Sequence, residues 1–215
     1  MSIDSESAQR ATALGRRGAS GGTAGNEELT AITGVVLLVL LAALGVTVLR
    51  VRQLLDPHMF IGMLLLGPVA LKMASTGYRF VRYYTGAATY VRKGPPPLGL
   101  RLIAPIVALS TVAVFATGVV LLVAGPSARS PFLALHKLSF IAWLAFMALH
   151  VLGHLAEMPD SLRATRSRDR PWDDHGAGLG ARAIVLAGSL VGGVALAILV
   201  IPLFGAWAHT QVLFH

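Results

Sequence analysis

Seven histidines stand in a chain of 215 residues that has no cysteine. His175, His209 and His215 fall in polar loop or tail sequence and need no special account. His58, His136, His150 and His154 fall at the edges of long apolar runs, where an ionisable side chain is costly and marks a functional site by default. On a helix, His136 and His150 would stand about 40° apart in azimuth and about 21 Å apart in height, with His154 on the same face. His58 opens one apolar run as His136 opens another. A single run lies between them, so the two helices run in the same direction and hold both imidazoles at one depth. Neutral imidazole is a metal ligand through either ring nitrogen. Two of them at matched depth on neighbouring helices suit the two axial positions of one b-type haem.

The neighbouring residues each allow two readings. Gly62, one turn from His58 on the same face, would let a porphyrin approach or would pack a helix. Arg50 and Arg52 stand where haem propionates would be paired, or they simply bound the preceding run. Trp143, seven residues from both His136 and His150, would divide an outer from an inner compartment or serve as core.

The elements that must position these residues are five apolar runs, each close to the roughly 20 residues needed to cross a bilayer. They cover Ala31 to Leu49, His58 to about Tyr78, Leu102 to Ala124, Phe132 to Leu155, and Ala183 to roughly Trp207, the last broken near Pro202 and Gly205. Backbone amides in hydrocarbon must be satisfied within their own segment, which makes all five helices. No alternating pattern of a membrane barrel appears. The expected fold is an all-α integral membrane bundle of five helices over residues 31–207. Loops are expected near 79–101 and 156–182, with a short extracytoplasmic tail at 208–215. Residues 1–30, rich in Ser, Gly, Ala and Thr, read as a disordered cytoplasmic tail, and the first run as an uncleaved signal-anchor.

Composition supports that class. The chain is 55% hydrophobic and 13% charged, with mean hydropathy +0.70, against roughly 25% charged residues in a soluble domain. A soluble enzyme is excluded. The absence of cysteine removes disulfides, thiolate zinc sites, Cys-ligated clusters and c-type haem attachment. The net charge of +8 reads as topology and not as nucleic-acid binding. Thirteen of the 18 basic residues fall in the first tail and the loops after spans two and four, which places the N-terminus inside and the C-terminus outside. Tyr78, Tyr83, Tyr84 and Tyr90, with Arg79 and Arg82, form an interfacial belt. The run Gly94 to Pro97 is a stiff connector. The interleaved charges from Arg163 to Asp174 read as a solvated loop.

Two segments, HMFIGMLLLGPVALK and LHKLSFIAWLAFMALHVLGHL, resemble the ligand helices of bacterial membrane cytochromes b, the cytochrome b561-like and ferric-reductase-like groups. The resemblance covers these two helices, about a fifth of the chain. In those families two helices each carry histidines 13 or 14 apart, and four histidines hold two stacked haems. The resemblance implies that His58 and His136 form the outer pair and that His150 is an inner ligand. It also implies residence in a bacterial cytoplasmic membrane, with a quinone and an extracytoplasmic redox protein as partners. Lys72 departs from the pattern, standing where the second inner histidine belongs. Such a lysine ligates iron when neutral, snorkels to the interface as an ammonium, or faces a propionate, a quinone oxygen or Glu157. Pro68 is expected to kink the helix between His58 and Lys72. One haem is the expected count, with His154 an alternative inner ligand beside His150 for a second.

The spans contain no Asp or Glu, which argues against a His/carboxylate metal site, a proton-coupled transporter or a cation channel. Gly34 and Gly45 in the first span, and Gly188, Gly192 and Gly193 in the fifth, read as packing surfaces. No phosphate loop, nucleophile triad or dinucleotide fingerprint appears. Two functions stay open: an electron-transferring b-type cytochrome in contact with membrane lipid, or a haem-free anchor or scaffold subunit of a larger complex.

Overall fold

A computed structural model describes residues 29–92, 94, 98–166 and 179–207, with backbone only at 128, 154–166 and 179. The expected N-terminal and C-terminal tails, the proline connector at 95–97, His175, and most of the charged segment after Arg166 lie outside the described residues. Five helices are long and apolar enough to cross a membrane, and no strand occurs among the described residues. They are α1 (Leu29–Leu49), α2 (Leu55–Tyr84), α4 (Leu98–Ala124), α5 (Arg129–Arg166) and α6 (Leu179–Leu199), with a short α3 at Ala88–Val91. Single 3-10 turns at Pro126–Ala128 and Ile201–Leu203 lead into α5 and follow α6, the second where Pro202 was expected to break the last span.

Helices α2 and α5 run further than the apolar runs that announce them. Nothing between Arg79 and Tyr84 breaks a helix, so α2 continues to Tyr84, two residues before Gly86, whose φ of 77° is a left-handed value that suits glycine. Helix α5 continues through the start of the loop expected at 156–182 and is described as far as Arg166. Asp56 lies in the first turn of α2, where the helix dipole favours an acid. Pro57 follows among the first amides, which have no intrahelical acceptor to lose.

The helices pack mainly as two pairs, α2 with α6 and α4 with α5, and α2 touches α4 between the pairs. Helices α2 and α5 are not a packed pair. The α1–α2 turn, the α4–α5 turn and the C-terminus of α6 share one end of the bundle. Its core lies there: Met63, Leu121, Leu122, Ala197, Phe204 and Trp207, with Leu55, Met59, Phe132 and Leu133 against them. The outer faces are apolar and open, as with Leu49 at 86%, Ile184 at 73% and Leu109 at 72% exposure. An apolar surface on that scale suggests a multi-pass membrane protein.

The α2–α6 contact depends on backbone approach. Pro68, buried inside an unbroken α2, has no N–H for the carbonyl of Leu64. Gly193 of α6 lies directly against that carbonyl, and Gly67 lies against the carbonyl of Ser189, so closely that a Cβ at either position would collide. Ser189 and Gly193, four apart, form the small-residue face that such an approach requires. Gly188, Gly192 and Gly45, also expected to pack, have nothing within 4 Å of an added Cβ. At Gly34 the neighbour is the Lys72 ammonium, 3.3 Å from where a Cβ would stand.

Candidate metal-ligating histidine pair

The structure brings His58 and His136 together. Their ring centroids are 6.5 Å apart and the ring planes cross at 78°. His58 lies in the first turn of α2 and His136 in the second turn of α5, both half-buried at the core end of the bundle. The two rings thus lie at one level of the bundle, as span order leads one to expect. Two imidazoles bound to one metal from opposite sides would hold their centroids about 6 Å apart, from roughly 2 Å per metal–nitrogen bond and about 1 Å from nitrogen to ring centre. The observed separation agrees with that spacing.

The hydrogen bonds around the pair decide which nitrogen is available. His136 Nδ1 lies 3.1 Å from the Val114 carbonyl and 3.1 Å from Thr117 Oγ1. A carbonyl only accepts, so Nδ1 carries the proton, and the lone pair of the neutral ring is on Nε2. The Thr117 hydroxyl donates back to the Ala113 carbonyl at 2.8 Å and so accepts from the histidine. His58 Nδ1 lies 3.0 Å from Thr47 Oγ1, and that hydroxyl donates to the Leu44 carbonyl at 2.6 Å. With that hydrogen on the closer Leu44 carbonyl, His58 Nδ1 is the donor and Thr47 Oγ1 the acceptor. Both rings carry the proton on Nδ1 and keep the Nε2 lone pair for a ligand. Histidines that bind metals are oriented by partners of this kind.

Thr47, Val114, Thr117 and Gly118 were not singled out from the sequence. A Cβ at Gly118 would stand 3.1 Å from His136 Cε1, so this glycine makes room for the ring. Gly62, expected to admit a flat ligand, has nothing within 4 Å of its missing side chain. Arg50 is exposed at the end of α1 and Arg52 in the turn to α2, at the same end of the bundle as His58. No group of three or more His, Cys, Asp or Glu side chains forms a metal site among the described residues. A bare zinc ion asks for four ligands. A planar macrocycle that supplies four equatorial nitrogens asks the protein for only two.

The other expected site residues are placed differently. Lys72 donates to the Thr30 carbonyl of α1 at 2.6 Å, and Thr30 Oγ1 donates to Ser75 Oγ at 3.1 Å. Ser75 in turn donates to the Lys72 carbonyl at 3.0 Å, which completes a polar clasp between α1 and α2. Lys72 is thereby engaged with α1. His150 is half-buried further along α5, and the side chain of His154 lies outside the described residues. Trp143 is buried and donates from its indole nitrogen to Thr111 Oγ1 at 3.0 Å, pinning α5 to α4. No family model, curated protein or solved structure matches the chain.

Proposed function

We propose that the chain is a membrane b-type cytochrome that holds one haem between His58 and His136 and relays single electrons. The observation that carries this reading is the pair itself: two imidazoles 6.5 Å apart, each with Nδ1 engaged by a neighbouring helix and Nε2 left to a ligand. Bound haem would supply a reversible one-electron change at iron, and His58 and His136 are the residues that would hold it. The chain's own contribution is orientation and burial. Thr47 holds the His58 ring, while Val114 and Thr117 hold the His136 ring, and Gly118 lets His136 sit close to α4. The apolar cluster around Met63 and Leu122 keeps water from the inner side. Arg50 and Arg52 stand at the right end to meet propionates.

Charge asymmetry favours the histidine end as the outer face of a bacterial cytoplasmic membrane. The likeness of the two histidine segments to ligand helices supports a quinone and an extracytoplasmic redox protein as partners. A second haem is not part of the proposal, because Lys72 is engaged with α1.

The test is a reduced-minus-oxidised spectrum of the purified chain. Sharp α and Soret bands are expected, lost in His58→Ala and in His136→Ala and retained in His175→Ala. A chain that purifies without a chromophore as part of a larger complex would instead be an anchor or scaffold subunit.

A further inference from the structure

The opposite end of the bundle carries an aromatic and cationic surface that the histidine pair does not use. Phe80 and Tyr84 of α2 meet at 4.4 Å between ring centroids, and Tyr83 stands edge-on to Tyr84 at 5.2 Å. Arg101, one turn into α4, lies over the Tyr84 ring at 5.7 Å from the centroid and donates to its hydroxyl. Arg79 is four residues before Tyr83 and so lies on the same helix face. Arg101 therefore caps Tyr84, and Arg79 stands half-buried one turn before Tyr83 on α2. Among the described side chains neither meets a carboxylate.

We propose that Arg79 and Arg101 form a seat for the phosphate of an anionic phospholipid. A guanidinium carries five N–H donors in a rigid fork suited to phosphate oxygens. Tyr84 fixes the Arg101 fork through ring and hydroxyl while leaving donors outward. Tyrosine rings settle at headgroup depth, which places the seat where lipid phosphates lie. Leu98 and Leu102 beside Arg101 are 70% and 62% exposed, and Phe80 is 61% exposed, so an apolar surface for the acyl chains adjoins the cations. Phosphate attached to a diacyl tail matches both halves of this surface, whereas free phosphate matches only one. The inference stands apart from the haem reading and does not depend on it.

Native mass spectrometry of the full chain in detergent, with phosphatidylglycerol and phosphatidylcholine in competition, tests the seat. The wild type is expected to retain phosphatidylglycerol preferentially. Arg79→Gln and Arg101→Gln should each lower the preference about fivefold, the effect of one basic residue near an anionic surface. Arg101→Lys keeps the charge without the fork and should fall between wild type and Arg101→Gln. Lys137→Gln removes the same charge at the other end of the bundle and should change nothing. Thermal unfolding gives a second readout: phosphatidylglycerol should raise the midpoint of the wild type, and inorganic phosphate alone should not. Equal retention of the two lipids by the wild type would overturn the proposal. So would an equal loss in Lys137→Gln, or equal stabilisation by inorganic phosphate.

Discussion

Replacing Thr47 by valine should weaken the histidine site far more than the same change at Thr117, and the reason lies in how many acceptors each ring has. His58 Nδ1 has Thr47 Oγ1, at 3.0 Å, as its acceptor. His136 Nδ1 has two acceptors, Thr117 Oγ1 and the Val114 carbonyl, each at 3.1 Å. Valine keeps the shape of threonine and removes the hydroxyl. In Thr47→Val the His58 N–H loses its partner, and the ring is free to turn or to change tautomer. In Thr117→Val the backbone carbonyl of Val114 still holds the proton on Nδ1. Loss of a partner that orients a metal-binding histidine costs about 10–100-fold in metal affinity, or about 1.4–2.7 kcal/mol. That range is assigned to Thr47→Val, and a loss smaller than its lower bound of about 10-fold to Thr117→Val. Thr47→Ser keeps the hydroxyl and should stay near wild type. The assay is titration of haem-depleted protein with haem, followed by Soret absorbance, with circular dichroism to confirm helix content. Equal losses at the two threonines, or a larger loss at Thr117, would refute the assignment of acceptors.

Three further outcomes follow from the packing. Gly118→Ala brings a methyl to 3.1 Å from His136 Cε1, and overpacking of this kind costs about 1–3 kcal/mol; lower haem retention, with the fold intact, is the result to look for. Gly193→Ala drives a methyl into the Leu64 carbonyl and should lower the unfolding midpoint in detergent, whereas Gly188→Ala and Gly192→Ala, which have open space, should be neutral or slightly stabilising. Lys72→His supplies the side chain that a second haem would need, yet the position faces Thr30 and Gly34 of α1; haem content should remain unchanged, and a doubling would show that the clasp opens readily.

Legibility from sequence divides along a physical line. The five spans are readable because each is a long apolar run whose amides have no other solution in hydrocarbon. The meeting of His58 with His136 is readable too, since parity of spans sets direction and position within the span sets depth. What stays hidden depends on how far each helix is rotated about its own axis. Thr47, Thr117 and Gly118 are ordinary residues of α1 and α4, and only the rotation of those helices turns them toward the histidines. The same ambiguity hid the engagement of Lys72 with the Thr30 carbonyl, and it hid which glycine of Gly188, Gly192 and Gly193 touches α2. The helix ends are a separate matter. Hydropathy falls at Arg79, but a helix stops where its backbone must, two residues before Gly86 for α2.

The ratio of haem to polypeptide in the purified full chain tests the central claim most directly. One haem per chain is the predicted value, falling to none in His58→Ala and in His136→Ala while helix content is kept. Two haems per chain would contradict the role given to Lys72. No haem in a correctly folded, membrane-inserted wild type would contradict the cytochrome itself.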